Sequence, residues 1–77
     1  MTPRDEKVFL KALGCQVAGV RRSRGLTQAA LSGLTGLSVE YISRLENGRG
    51  NSTLLTLRAL VQKGLGCPLD VFFEGVG

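Results

Sequence analysis

The 77-residue sequence predicts an all-α fold of five helices joined by short loops, in one domain over residues 1–77. Three observations carry that expectation. Apolar residues recur at steps of three and four and show no alternation, which is helix spacing and not strand spacing. Thr27, Ser38 and Thr53 each stand just ahead of such a stretch, where a side-chain oxygen caps free backbone N–H groups. Gly25, Gly36 and the pair Asn47-Gly48 follow such stretches, where a chain can leave a helix. The apolar fraction of 43% is too high for a disordered chain, and a chain this short buries only a modest core.

The first helix is expected over residues 5–24, with Leu10, Leu13, Val17 and Val20 inward. Asp5 and Glu6 suit its positive end, and Arg21, Arg22 and Arg24 its negative end. Thr27 caps a second, short helix over 28–34 with Ala30, Leu31 and Leu34 as its inner face. Gly36 supplies a tight turn and Leu37 follows it. Ser38 caps a third helix over 39–46, with Ile42 and Leu45 inward. A polar loop over 49–52 leads to Thr53 and a fourth helix over 54–64, placing Leu54, Leu57, Leu60, Val61 and then Leu65 inside. Pro68 suits the first position of a fifth helix ending near Glu74.

The charge is +4, with an isoelectric point near 9.7, and it is unevenly placed. Arg4, Lys7, Lys11, Arg21, Arg22 and Arg24 face only Asp5 and Glu6 in the first 26 residues, and the remainder is balanced. A basic N-terminal third suits a polyanion such as DNA, or forms a solvated helix face. Cys15 and Cys67 are too few for a disulfide framework and lack zinc spacing, so both are expected as free thiols in a reducing cytoplasm. No apolar run nears the ~20 residues of a membrane span, and the charged start is unlike a signal peptide. No separate ligand-sensing domain, cofactor, metal or small-molecule ligand is expected. There is no histidine, no clustered carboxylate pair and no phosphate-cradling glycine loop, which argues against an enzyme.

From Leu26 the chain reads LTQAALSGLTGLSVEYISRLENG. Two short helices crossing at a fixed angle need a small residue at their contact (Ala30), a turn free of Cβ strain (Gly36), and apolar anchors (Leu31, Leu37, Ile42). The second of such a pair projects outward and can enter a major groove. Leu26, Thr27, Gln28, Ala30, Leu31, Gly36, Leu37, Ser38, Ile42, Ser43, Glu46, Asn47 and Gly48 together resemble the helix-turn-helix of the Cro/repressor-like (Xre) family. LGCQVAGVRRSRG, with Arg21, resembles that family's first helix. The resemblance implies a lambda-repressor-type fold with the helix-turn-helix over 27–46. It also implies a sequence-specific, DNA-binding transcription regulator acting on double-stranded DNA.

Residue roles follow from the resemblance. Gln28 would bond a DNA phosphate, and Val39, Glu40 and Arg44 would read bases, with Ser38 and Tyr41 beside them. Val39 suits a thymine methyl, Glu40 a cytosine amine and Arg44 guanine, each bidentate contact contributing roughly 1–3 kcal/mol of discrimination. Arg44 has the alternatives of a phosphate or an i to i+4 pair with Glu40, and Tyr41 that of packing on the domain. Ser43, Asn47, Arg49, Asn51 and Arg22 would hold phosphates, with Gly48 and Gly50 permitting close approach of the backbone. Arg21 and Glu46 would form a partly buried structural ion pair. The region 53–77 would dimerise the chain through Leu55, Val71, Phe72, Phe73 and Val76, placing two recognition helices about one DNA turn apart on a palindromic operator; the alternative is that the fifth helix simply packs onto the first. The adjacent Phe72 and Phe73 are not expected to share one core.

The Tyr41-Ile42-Ser43, Glu46, Asn51 and Phe72-Phe73-Glu74 layout resembles the controller proteins of restriction–modification systems. Phage-type repressors and antitoxins of toxin–antitoxin pairs share the fold, and a protein-interaction module is the alternative without DNA. One departure stands out: LRALVQKGLGC, from Leu57 to Cys67, is one residue longer than the commonest family spacing.

Overall fold

α1 (Pro3–Ser23) is a 21-residue helix whose Leu13, Val17 and Ala18 enter the core while Leu10 and Val20 lie half-buried. The computed structural model describes the backbone of residues 3–50 and 52–76 and the side chains from residue 5 onward. α2 (Gln28–Thr35), α3 (Val39–Glu46) and α4 (Leu54–Ala59) follow, a π-helical turn (Leu60–Gly64) continues α4, and α5 (Leu69–Glu74) closes the described chain.

The three hydroxyl caps form as the sequence predicts. Thr27, Ser38 and Thr53 accept the backbone N–H of Ala30, Tyr41 and Thr56 respectively. Each satisfies one of the orphan donors of a helix start. Gly36 joins α2 to α3 with φ of +75°, a left-handed angle that a Cβ would strain. α1 ends one residue earlier than expected: Arg24 lies outside it and donates from Nε to the Leu65 carbonyl at 2.9 Å. Pro68 precedes α5 and stands just outside its first turn.

The core is Leu13, Val17, Leu31, Ile42, Leu45, Leu57, Leu60, Val61, Leu65, Cys67 and Phe72, with Val20, Leu37, Tyr41, Leu69, Phe73 and Val76 packed on it. Several expected inward residues are not in it. In α2 only Leu31 is fully buried, whereas Ala30 is exposed and Leu34 is 55% exposed. The buried face instead runs Gln28, Leu31 and Thr35, whose helical spacing turns Ala30 and Leu34 outward. Leu54 opens α4 at 72% exposure. The small residues at helix contacts are glycines. A Cβ on Gly14 of α1 would run into the Leu45 and Glu46 carbonyls of α3, and one on Gly64 would stand 2.6 Å from Leu31 Cδ1 and Thr35 Cγ2.

The stretch from Leu57 to Cys67, where a departure from the family spacing is expected, holds a π-helical turn. The expected regular helix over 54–64 widens at its second half, where the Leu65 N–H bonds the Leu60 carbonyl five residues back at 3.0 Å. In a regular α-helix one inserted residue would rotate everything after it by ~100°. A π turn can take up such a residue, and across this one Leu60, Val61 and Leu65 are all buried. Phe72 then falls fully inside the core, and Phe73 meets its ring edge-on at 5.3 Å. This corrects the assignment of Phe72 to a dimer surface: enclosed by its own chain, it has nothing to offer a partner. Among the described residues both cysteines are free, Cys15 exposed and Cys67 buried, and no helix is long and apolar enough to cross a membrane.

Candidate nucleic-acid interface

α3 lies on α1 through Gly14, with Ile42 and Leu45 buried. This packing fixes its rotation and turns Val39, Glu40 and Arg44 to solvent, with Val39 39% exposed. The three expected base readers therefore share one outward face. Glu40 and Arg44 do not pair with each other among the described residues, so both heads are available.

The neighbours expected beside them are more occupied. Ser38 spends its oxygen as the α3 cap. Tyr41 is half-buried against the core and donates its hydroxyl to Ser52 Oγ at 2.5 Å, fastening α3 to the loop before α4. This is the packing alternative expected for it. Ser43 is half-buried, and its carbonyl accepts both the backbone N–H of Asn47 and Asn47 Nδ2, the latter at 2.8 Å. Asn47 thus closes the C-terminal end of its own helix. Arg22 and Arg49 are exposed. Asn51 lies outside the described residues. Gly48 and Gly50 do serve close approach, but within the chain: added Cβ atoms would stand 3.0 Å from Lys11 Cα and 2.9 Å from Leu45 Cα respectively.

Beneath this face sits the ion pair. Arg21 Nε bonds Glu46 Oε2 at 2.7 Å and Arg21 Nη2 bonds Glu46 Oε1 at 2.9 Å, a two-pronged contact between side chains only 9% and 5% exposed. Arg21 Nη1 also donates to the Leu26 carbonyl at 2.9 Å, so one guanidinium ties α1 to α3 and to the lead-in of α2. Burial pushes the Glu46 carboxyl up. The bonds from Arg21 and Gln28 and the charges of Arg21 and Arg22 outweigh it and hold the group below its ordinary value. The Glu46 hydrogen bond, opposed by burial and aided by its charge, raises Arg21.

Gln28, expected to bond a phosphate, is half-buried and donates from Nε2 to Glu46 Oε1 at 3.0 Å. Sequence reasoning missed this link, the bond from Arg24 to Leu65, and the packing role of Gly14. Only Gly14 left a signal, because glycine inside a helix costs about 1 kcal/mol relative to alanine and needs a reason.

The outward, capped α3 held across α2 by a glycine turn is the geometry of a helix-turn-helix. Residues 17–72 match the family described as helix-turn-helix, and the chain belongs to that family. The chain is 44% identical over 52 residues, 68% of each sequence, to an uncharacterized HTH-type transcriptional regulator, y4dJ, of Sinorhizobium fredii. Among solved structures it resembles the wild-type restriction–modification controller protein C.Esp1396I, with TM-score 0.81 and 31% identity over 88% of each chain. The tetramer of that protein in complex with its natural 35 base-pair operator matches equally, with TM-score 0.81. The clp gene regulator ClgR from C. glutamicum matches with TM-score 0.84 and 25% identity, over 88% of this chain and 86% of that one. The chain is a DNA-binding transcription regulator of the helix-turn-helix, Xre type.

Proposed function

We propose that this regulator acts as one domain and a homodimer on a palindromic operator, in the manner of a restriction–modification controller protein. The observation that carries the reading is the exposed face of Val39, Glu40 and Arg44 on a helix whose rotation is set by buried contacts. Preorganised side chains on a rigid helix are what base readout requires. The basic first helix supplies the electrostatic footprint for a phosphate backbone. The likeness to a controller protein whose operator complex is known, over nearly the whole of both chains, supports the particular role. The likeness to ClgR supports a second reading, a regulator of chromosomal genes outside any restriction–modification system.

Of the residues proposed for the dimer, Leu55 is 73% and Val71 50% exposed, and Phe73 of α5 and Val76 just after it are half-buried. Apolar side chains this exposed on a small chain suit a partner surface. The test is a gel shift against DNA upstream of the protein's own gene at several salt concentrations. Arg44→Ala is expected to lose sequence preference by a factor of about ten or more. Gln28→Ala should weaken all DNA alike. Wild-type binding with no preference over random DNA, there and in selection from a random pool, would leave the operator reading without support.

A further inference from the structure

Glu46 is more than half of an ion pair. Its carboxylate accepts three bonds, two from Arg21 and one from Gln28 Nε2. A carboxylate only accepts, whereas a primary amide carries two N–H donors on one side and an acceptor on the other. The charge on Glu46 therefore dictates which way the Gln28 amide points: nitrogen toward Glu46, with its second N–H left over. The amide is planar, so that second N–H has a fixed direction once the first is bonded. Gln28 is half-buried and stands first in α2, beside α3.

We infer that Glu46 is a positioning residue for DNA binding, holding the Gln28 amide so that its free N–H donates to a backbone phosphate. The inference rests on the phosphate role proposed for Gln28. It gives the buried pair a second consequence. Arg21 anchors Glu46 through two bonds, Glu46 orients Gln28, and Gln28 meets the DNA, so a group closed off inside the protein bears on a contact at its surface. Arg22, whose charge also acts on Glu46, brings a second phosphate partner to the same neighbourhood. A free glutamine would have to choose between its two amide orientations on binding, and in one of them it presents an oxygen to the phosphate.

The experiment is a double-mutant cycle on DNA affinity with Glu46→Gln, Gln28→Ala and the double variant, at a temperature where circular dichroism shows all of them folded. Gln28→Ala should weaken binding about tenfold, the scale of a hydrogen bond to a charged group. Glu46→Gln should weaken it several-fold, because a glutamine there can accept or donate and no longer enforces one orientation. In the Gln28→Ala background the Glu46→Gln effect should vanish. An equal loss in both backgrounds means that Glu46 acts only through the fold, and overturns the inference. No loss from Gln28→Ala alone overturns instead the phosphate role on which it rests. Should Glu46→Gln fail to fold, nuclear magnetic resonance of the wild type decides. One Gln28 side-chain amide proton should lie downfield and exchange slowly, and a pair at free-amide positions would end the proposal.

Discussion

Arg21 and Glu46 tie several parts of the molecule together. Their bonds join α1, α3, the lead-in of α2 and Gln28. Removing one partner leaves the other buried and uncompensated, which costs about 3–5 kcal/mol, a large share of the ~5–15 kcal/mol that holds a small domain together. The pair also sets an acid limit. Glu46 titrates lower in the fold than in the unfolded chain, where a glutamate sits at about 4.3. Its contribution is therefore complete well above that value and is lost as pH falls through the depressed folded value. Arg21, raised from an already high value, stays charged throughout and adds nothing to the acid limb. Thermal melts of wild type and Glu46→Gln should keep a constant gap between about pH 7 and about pH 5, and the gap should narrow below about pH 4. A gap unchanged across that range would mean that the carboxylate's charge contributes nothing.

At the scale of elements, the caps were legible because they are local: a hydroxyl and an N–H three residues apart in sequence. The contacts between helices were not. The sequence pattern alone allows Ala30 as the small residue at a crossing, yet the crossing that fixes α3 runs through Gly14. Gly14→Ala would press a methyl group onto backbone carbonyls, which cannot swing aside as a side chain can. The expected result is a loss of about 3 kcal/mol or more in denaturant unfolding, with α3 displaced. The same change at Gly33, where nothing stands within 4 Å, should be neutral or slightly stabilising. Equal effects at the two sites would show that α1 and α3 do not meet as described. The π turn belongs to this scale too. Its bond from the Leu65 N–H to the Leu60 carbonyl leaves no pattern in the helical repeat from which it could be read.

At the scale of the whole molecule, the proposed function depends on two copies. With Phe72 sealed in the core, the partner surface proposed for the dimer draws on Leu55, Val71, Phe73 and Val76. Val71→Glu places a charge on an exposed position, so the fold should survive while association weakens. Sedimentation at micromolar concentration should find wild type as a dimer and Val71→Glu as a monomer. Operator affinity should fall with it, because each half-site alone keeps only its own contacts. A wild-type monomer would remove the dimer reading, and a dimer untouched by Val71→Glu would move the interface elsewhere.

Helix number, the hydroxyl caps and the glycine turn at Gly36 were determined by the sequence alone. Each depends on neighbours a few residues apart, whose geometry the helical repeat already specifies. The partner of Gln28, the outward turn of Leu34 and Leu54, the inward turn of Phe72 and the occupation of Tyr41 by Ser52 were decided only in three dimensions. These depend on which faces of different helices meet, and a rotation of a fraction of a turn, set by a glycine or by a π turn, moves a side chain from solvent to core.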